Sequence, residues 1–512
     1  MIDTSDRDAL LLLRQGDDVA VALRNLSAGE EVALGTQRVR LIKAVPRGHK
    51  VSLHPLAAGQ QVRKYGQVIG VASADIGPGE HVHSHNLSFE EPRRTAELAT
   101  DVPSLLLPTG PRPTFQGYRR ADGRVGTRQY VAILTSVNCS GSTARMIADQ
   151  YRGRALADFP GVDGVIALTH DSGCGYVPTS EGGQMLLRTL RGYAAHPNIA
   201  GLLVLGLGCE MLSQDSLTSA ADFPSDTLVR QLTIQGSGGV RATVRRGVEL
   251  VDELLPQVNA GTREECDVSE LVLGLNCGGS DGYSGITANP ALGWASDRLV
   301  AWGGTSVLAE TPEVFGAEHL LTRRASSPEV AQLLLDRIEW WKSYTAAGGG
   351  SLDNNPSPGN KMGGLTTILE KSLGAVAKAG QARLDAVYQY AEPITVKGLA
   401  FMDTPGYDPV SVTGLVAGGA NLVCFTTGRG SMFGCRPTPS IKIATNSEMY
   451  IALREDMDIN AGSIVDGTAT LEQVGQEIFD TMLAVASGQK TVSEELEIGE
   501  QEFIPWHVGA VT

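Results

Sequence analysis

The rhythm of apolar and polar positions changes twice along the chain. Between residues 12 and 90, short alternating stretches such as DDVAVAL, QRVRLI, HKVSLH and EHVHSHN are separated by SAGEE, PRGHK, AAGQ and GPGE turns. Period-two alternation bounded by Gly and Pro predicts a small β-rich domain over residues 1–90. Residues 91–113 carry Pro92, Pro103, Pro108, Pro111 and Pro113. Their fixed φ and missing N–H disfavour regular structure, so this stretch reads as a linker. From Tyr130 the apolar runs become continuous, YVAILTSV, DGVIALTH and IAGLLVLGLG, and alternate with amphipathic GGQMLLRTLRGYAAH. Strands buried on both faces and alternating with helices predict a parallel, doubly wound sheet. A second series, LVLGLNC, GTSVLAET, VKGLAFMDTP and ANLVCFTTG, is interleaved with the helical PALGWASDRLVAWG and VAQLLLDRIEWWKSY. A boundary near residues 260–266 divides an α/β region over 114–262 from a C-terminal one over 263–512. No internal repeat is evident.

Composition narrows the class. The 512 residues are 42% hydrophobic and 19% charged, with mean hydropathy −0.04, as in a globular protein. Against 42 basic residues stand 57 acidic ones, a net charge of −15. That balance repels nucleic acid and anionic membranes at long range, so neither is expected as a partner. An anionic substrate must therefore be met by a few placed cations. The start, MIDTSDRDALLLLRQGDD, lacks a basic leader and a cleavage pattern, and the cytoplasm is the expected location. Every apolar run falls short of the ~20 residues of a membrane helix. Seven cysteines suit packing, metal binding or catalysis better than a disulfide framework. Oligomeric state is left open, a homo-oligomer included.

The candidate chemistry collects at strand ends. Cys139 follows YVAILTSVN, His170 and Cys174 follow VIALT, Cys209 follows LLVLGLG, and Cys277 follows LVLGLN. Ligands bind beyond the carboxyl ends of strands in open α/β sheets, so these five are expected to converge on one crevice and hold iron or zinc. The bland alternative is that each cysteine is a small buried hydrophobe, the reading adopted for Cys266, Cys424 and Cys435. His81, His83 and His85 alternate, so on a strand they share one face at ~6.6–7 Å spacing and offer an alternative metal site; a solvated β face is the competing reading. Gly278-Gly279-Ser280-Asp281-Gly282 matches a nucleophile elbow, which makes a serine hydrolase using Ser280 one rival. Asn289-Pro290, however, reads as a helix start too far behind Ser280 for that geometry. The same turn, with Ser284, serves equally as a polar cradle for a carboxylate or hydroxyls. NNPSPGNKMGG presents Asn360 and Lys361 on a loop, and FTTGRGSMFG places Thr426, Thr427 and Arg429 after a strand, where an arginine suits carboxylate recognition.

Taken together, RGHK, YGQVIG, YRRADGRVGTR, NCSGS, THDSGCG, GLGCE, CGGSDGYSGITANP, NPSPGNK, FTTGRG, KIATNSE and DINAG resemble the altronate and galactarate dehydratase family over nearly the whole chain. GEHVHSHN and TPEVFGAEHLL resemble the altronate branch more closely. The resemblance implies an N-terminal SAF-type β domain followed by two α/β regions. It implies a hydro-lyase acting on a small sugar acid, altronate to 2-keto-3-deoxygluconate, with galactarate or another aldarate or aldonate as the alternative. It also implies ferrous iron, with manganese able to substitute. An iron–sulfur cluster on the strand-end cysteines is a rival cofactor. Arg429 and Lys361 would neutralise substrate, and His170 or His49, the latter in PRGHK, would move protons. A non-catalytic sugar-acid binding protein is the rival from another class. Where relatives carry a histidine ahead of the first strand, this chain has Arg14, which puts that histidine's role in question here.

Overall fold

A computed structural model describes residues 9–92, 96–104, 108–175, 177–218 and 223–508. Its first body is all β. Strands Leu10–Leu11, Val19–Ala22, Lys50–Ser52 and His81–Val82 form one antiparallel sheet, Gln61–Lys64, Gln67–Ala72 and Leu87–Ser88 another, and Glu31–Leu34 pairs with Gln37–Arg40 as a hairpin.

A repeat missed in the sequence organises this body. The pattern apolar-x-x-Gly-x-x-Val begins at Leu26, Val45, Leu56 and Ile76. Its glycines, Gly29, Gly48, Gly59 and Gly79, all sit at φ between 77° and 84°, where a side chain would be strained. Antiparallel bridges join the copies in pairs, Leu26 to Val45 and Leu56 to Ile76, and all eight apolar positions are buried. The repeat is only seven residues long and unevenly spaced, which is why periodicity did not reveal it.

Two parallel sheets follow, in agreement with the α/β expectation. Tyr130–Thr135, Gly164–Leu168, Ile199–Gly206 and Leu228–Thr233 are ordered with Tyr130–Thr135 between Gly164–Leu168 and Ile199–Gly206. Helices Gly141–Ala148 and Val240–Asn259 pack on this sheet, and their apolar faces meet its strands in a core of their own. The larger sheet runs Leu384–Tyr388, Gly398–Met402, Thr305–Leu308, Val272–Cys277, Leu422–Thr427, Ser440–Ala444, Ile459–Asn460, all parallel. The chain leaves Val272–Cys277 toward one edge and returns at Leu422–Thr427 toward the other. Those two neighbours thus form the topological switch point, where a crevice opens beyond their carboxyl ends.

A short ribbon, Thr114–Arg119 against Glu264–Asp267, ties the two α/β regions together. In the stretch read as a linker, Ala99 N and Asp101 N donate to the carbonyls of Thr322 and Arg323, and Arg112 pairs with Asp267. Among the described residues no helix is long and apolar enough to cross a membrane.

Candidate functional site

The turn after Val272–Cys277 reaches three other segments. Gly282 N donates to the Gly363 carbonyl at 2.7 Å, and Asn360 Nδ2 to the Ser280 carbonyl at 2.8 Å. Gly278 admits no side chain, because a Cβ there would lie 2.1 Å from Asp408 Oδ2. Gly279, at φ 60°, lies under Arg429 and Thr427. Asp281 is buried; its Oδ1 accepts from Tyr283 N, Ser284 Oγ and Thr445 Oγ1, and its Oδ2 from Asn446 Nδ2. Thr426 donates to Asn289 Oδ1, and the Thr427 hydroxyl accepts from Gly430 N. Asp281, Ser284, Asn360, Thr426 and Thr427 therefore brace the turn with their polar atoms. Asn289 lies inside a helix that starts at Ala288, rather than capping it as the sequence suggested.

Against this braced turn docks the β domain. Gly48 packs on Gly282 and Gly364 at backbone contact, and Tyr283 Oη donates to the Ala22 carbonyl. Behind the contact, Lys50 and Lys64 each place Nζ 2.8 Å from one oxygen of Glu370, all three side chains fully buried. Opposing charges hold the Glu370 carboxyl far below its usual range despite burial, whereas burial pulls Lys50 down to about 8.

The docking gathers the imidazoles. His49 and His83 are stacked with centroids 5.0 Å apart, and His81 lies 5.1 Å from His49, 5.3 Å from His83 and 5.5 Å from His85. These spacings are shorter than an extended strand gives, because the strand ends at Val82 and the chain turns. His49 Nε2 is 3.1 Å from the Met362 carbonyl and His83 Nε2 is 2.8 Å from the Lys361 carbonyl. A carbonyl only accepts, so both Nε2 atoms carry the proton and both Nδ1 lone pairs remain. His49 Nδ1 faces His81 Nε2 at 3.0 Å. Burial, then the neighbouring imidazoles and Lys50, pulls His49 to about 4 and His81 to about 3, so both are neutral near pH 7. His49, His81, His83, Asp353, Asn354 and Lys361 line an open cavity of about 650 Å³. Arg429 is exposed beside it, its Cδ against Gly363.

Beneath the cavity lies a buried charged cluster. Cys277 Sγ is 3.4 Å from Glu310 Oε2 and from Glu313 Oε2. Lys378 Nζ is 2.8 Å from both Cys277 Sγ and Glu310 Oε2, and Lys371 Nζ is 2.6 Å from Glu313 Oε1. Asn355 joins the cluster to the cavity wall, donating to Glu313 and accepting from Lys371. Burial, reinforced by Glu310 and Glu313, pushes Asp408 up to about 7.

Two donor sets can be weighed for a metal. Among the described residues, Cys277, Glu310 and Glu313 are the one group of three acidic, thiol or imidazole donors with ligand atoms within 4.8 Å of one another. Both carboxylates there are already neutralised by ammonium groups, so a divalent cation would enter beside two positive charges, although Glu310 Oε1 is buried without a partner. The imidazole pair fits better. Two nitrogens 3.0 Å apart match two ligands each ~2.1 Å from one cation at a right angle, and His49 has its second nitrogen on a carbonyl, as metal-bound histidines do.

The five strand-end residues do not share one crevice. Cys277 belongs to the seven-stranded sheet, whereas Cys139, Cys174 and Cys209 lie exposed beyond the four-stranded one. His170 is buried with Nε2 on the Thr135 carbonyl and Nδ1 accepting from Ser172 N, so neither nitrogen is free. The hydrolase reading lacks its base contact: among the described residues no imidazole is hydrogen-bonded to Ser280, and of the later histidines His319 pairs with Gln67 and His507 with Asp171. Arg14 is exposed against Gly66, on another turn from the imidazoles. Sequence reasoning missed Asp408, Glu310, Glu313, Lys371 and Lys378. The signals available were the Asp408-Pro409 helix start and an acidic residue closely following each of two apolar strands.

Comparison with known proteins decides the family. Residues 8–90 match the altronate/galactarate dehydratase SAF domain, 117–259 the D-galactarate dehydratase/altronate hydrolase second domain, and 268–511 the D-galactarate/altronate dehydratase C-terminal domain. The chain belongs to the altronate/galactarate dehydratase family. It is 36% identical over 496 residues to altronate dehydratase of Bacillus subtilis, covering 96% of this chain and 98% of that one. It is 38% identical over 490 residues to altronate dehydratase of Escherichia coli, covering 94% and 96%. It is also 38% identical over 496 residues to galactarate dehydratase (L-threo-forming) of Escherichia coli, covering 95% and 94%.

Proposed function

We propose that this chain is a hydro-lyase that removes water from a sugar acid in the cavity between the β domain and the seven-stranded sheet. The observation that carries this reading is the meeting of four imidazoles from one domain with Lys361, Arg429 and the Gly278–Gly279 turn of another. D-altronate is the first choice and galactarate the second. The identities to the two kinds of relative are alike, and the histidine-rich GEHVHSHN favours the altronate branch.

The proton on the carbon beside a carboxylate is weakly acidic, so its removal needs the resulting enediolate to be stabilised. His49 and His81, with His83 beside them, would hold a divalent cation, ferrous iron first and manganese second; bound there it would supply Lewis-acid stabilisation of that charge. Lys361 and Arg429 neutralise the carboxylate of the substrate. Asp408, near 7, is the group able to hold or release a proton at neutrality, and the closed Gly278 turn fixes its position. Lys371 and Asn355 brace the cavity wall through Glu313.

Formation of the 2-keto acid from altronate and from galactarate tests this, in enzyme stripped of metal and then repleted with ferrous iron. Activity should vanish and return, and His49→Gln should lose both bound metal and turnover. Full activity in stripped enzyme would remove the cation from the mechanism.

A second cofactor reading has one observation in its favour. Cys139, Cys174 and Cys209 are all exposed on neighbouring loops, with Asn138 N donating to the Ser172 carbonyl and Met211 N to the Cys174 carbonyl. An iron–sulfur cluster there would give a brown protein with acid-labile sulfide.

A further inference from the structure

We propose a second ligand site, for a small dianion, where the four-stranded and seven-stranded regions meet. A cavity of about 850 Å³ opens there, between helix Glu181–Ala194 and residues 391–397. Val272 and Thr305, the first residues of their strands, line it. It therefore lies at the amino ends of the strands whose carboxyl ends face the sugar-acid cavity.

The charges on its wall do not balance. Asp122 pairs with Arg124 at 2.7 Å, and Glu270 faces Lys397 at 3.8 Å. Arg188 and Arg191 are left over, three apart and thus side by side on one helix. Each gives its Nε to a backbone carbonyl at 2.7 Å, Arg188 to Tyr390 and Arg191 to Ser216. Among the described residues no terminal guanidinium nitrogen of either has a hydrogen-bond acceptor, and Arg188 Nη2 is buried without one. Glu392 attracts Arg188 from beyond ion-pair distance, and its own carboxylate accepts from Gln389 N. Two guanidiniums that have no carboxylate within ion-pair distance among the described residues, in a chain of net charge −15, form a fork suited to a phosphate or a pair of carboxylates. Leu187, Ile394 and Val396 line the rest, so the ligand carries a carbon skeleton as well as charge: a phosphate monoester or a dicarboxylate.

Calorimetry on the full-length, metal-loaded enzyme at constant ionic strength tests the site, with inorganic phosphate, phenyl phosphate and succinate as probes. Saturable binding of at least one is expected. Whether phenyl phosphate or succinate binds tighter assigns the class. Arg188→Gln and Arg191→Gln should each weaken it by about tenfold or more, the loss of a charge-assisted hydrogen bond. Lys361→Met, in the other cavity, should leave it unchanged. Among the described residues Arg191 makes one side-chain hydrogen bond, to the Ser216 carbonyl, so Arg191→Gln carries the test if Arg188→Gln does not fold. The proposal is overturned if no probe saturates, if the arginine variants bind like the unaltered enzyme, or if Lys361→Met alone abolishes binding.

Discussion

Replacing Glu370 by Gln isolates what holds the β domain onto the region of the seven-stranded sheet. The carboxylate accepts from Lys50 and Lys64 at 2.8 Å each, and from Thr366 N at 3.0 Å and Oγ1 at 2.7 Å, with none of the three charged side chains exposed. The amide keeps the shape but leaves two buried ammonium groups without a counter-charge. Breaking a buried pair in this way costs about 3–5 kcal/mol, which is a hundredfold or more in a docking equilibrium. Amide hydrogen exchange in strands Val19–Ala22 and Lys50–Ser52 reads that equilibrium, and protection there should fall by about a hundredfold or more. Arg246→Ala, which removes an exposed pair with Glu249, is the control and should change stability by less than about 0.5 kcal/mol. Replacing the whole trio, Lys50→Met with Lys64→Met and Glu370→Leu, should recover most of the loss, since no buried charge is then stranded. Protection in Glu370→Gln within about fivefold of the unaltered chain would refute the claim that this charge pairing carries the docking energy, because even the smallest cost of stranding a buried charge, about 3 kcal/mol, corresponds to a far larger change.

Other consequences are open to direct measurement. Asp408→Asn should lower kcat by about 10²–10⁴ and remove a limb of the pH–rate profile near 7, as expected for loss of a general acid or base. Gly278→Ala should push the Asp408 carboxylate from its place and lower kcat, and because its Cβ would also lie 2.6 Å from Cζ of the buried Phe425, the melting temperature should fall as well. His170 and His196 are drawn down to about 4 and about 3 by burial, so the unfolded chain binds more protons than the folded one between those values and 6.5. Stability should therefore fall as pH drops from 6.5 toward 4, with these two imidazoles taking up about two protons on unfolding in addition to those taken up by His49 and His81; a flat melting temperature across that window would contradict this.

The parallel strands were legible because burial on both faces leaves runs such as YVAILT without polar interruption. Three strands of the large sheet were less visible. Leu384–Tyr388 contains Asp385, Ser440–Ala444 carries Lys442, a polar residue within a buried strand, and Ile459–Asn460 is only two residues long. The spacing of His81, His83 and His85 announced an imidazole face. Nothing local announced that His49 would stack on it, since that depends on pairing between segments about 30 residues apart. Cys277 was correctly seen at a strand end, but its partners, Glu310, Glu313 and Lys378, come from other segments and meet it only once the sheet is assembled. The expected convergence of five strand ends failed because two separate sheets share the same strand-end chemistry.

The ladder between Lys50–Ser52 and His81–Val82 sets Lys50 opposite Val82 and Val51 opposite His81. One residue added inside that ladder, between His81 and Val82, would shift its pairing by a step and turn His81 to the opposite side of the sheet, whereas the same addition at Gly35–Thr36 would lengthen only a hairpin tip. Tolerance to insertion along this small domain should thus map the ladder that sets His81 into the cavity, with no change of any amino acid's identity.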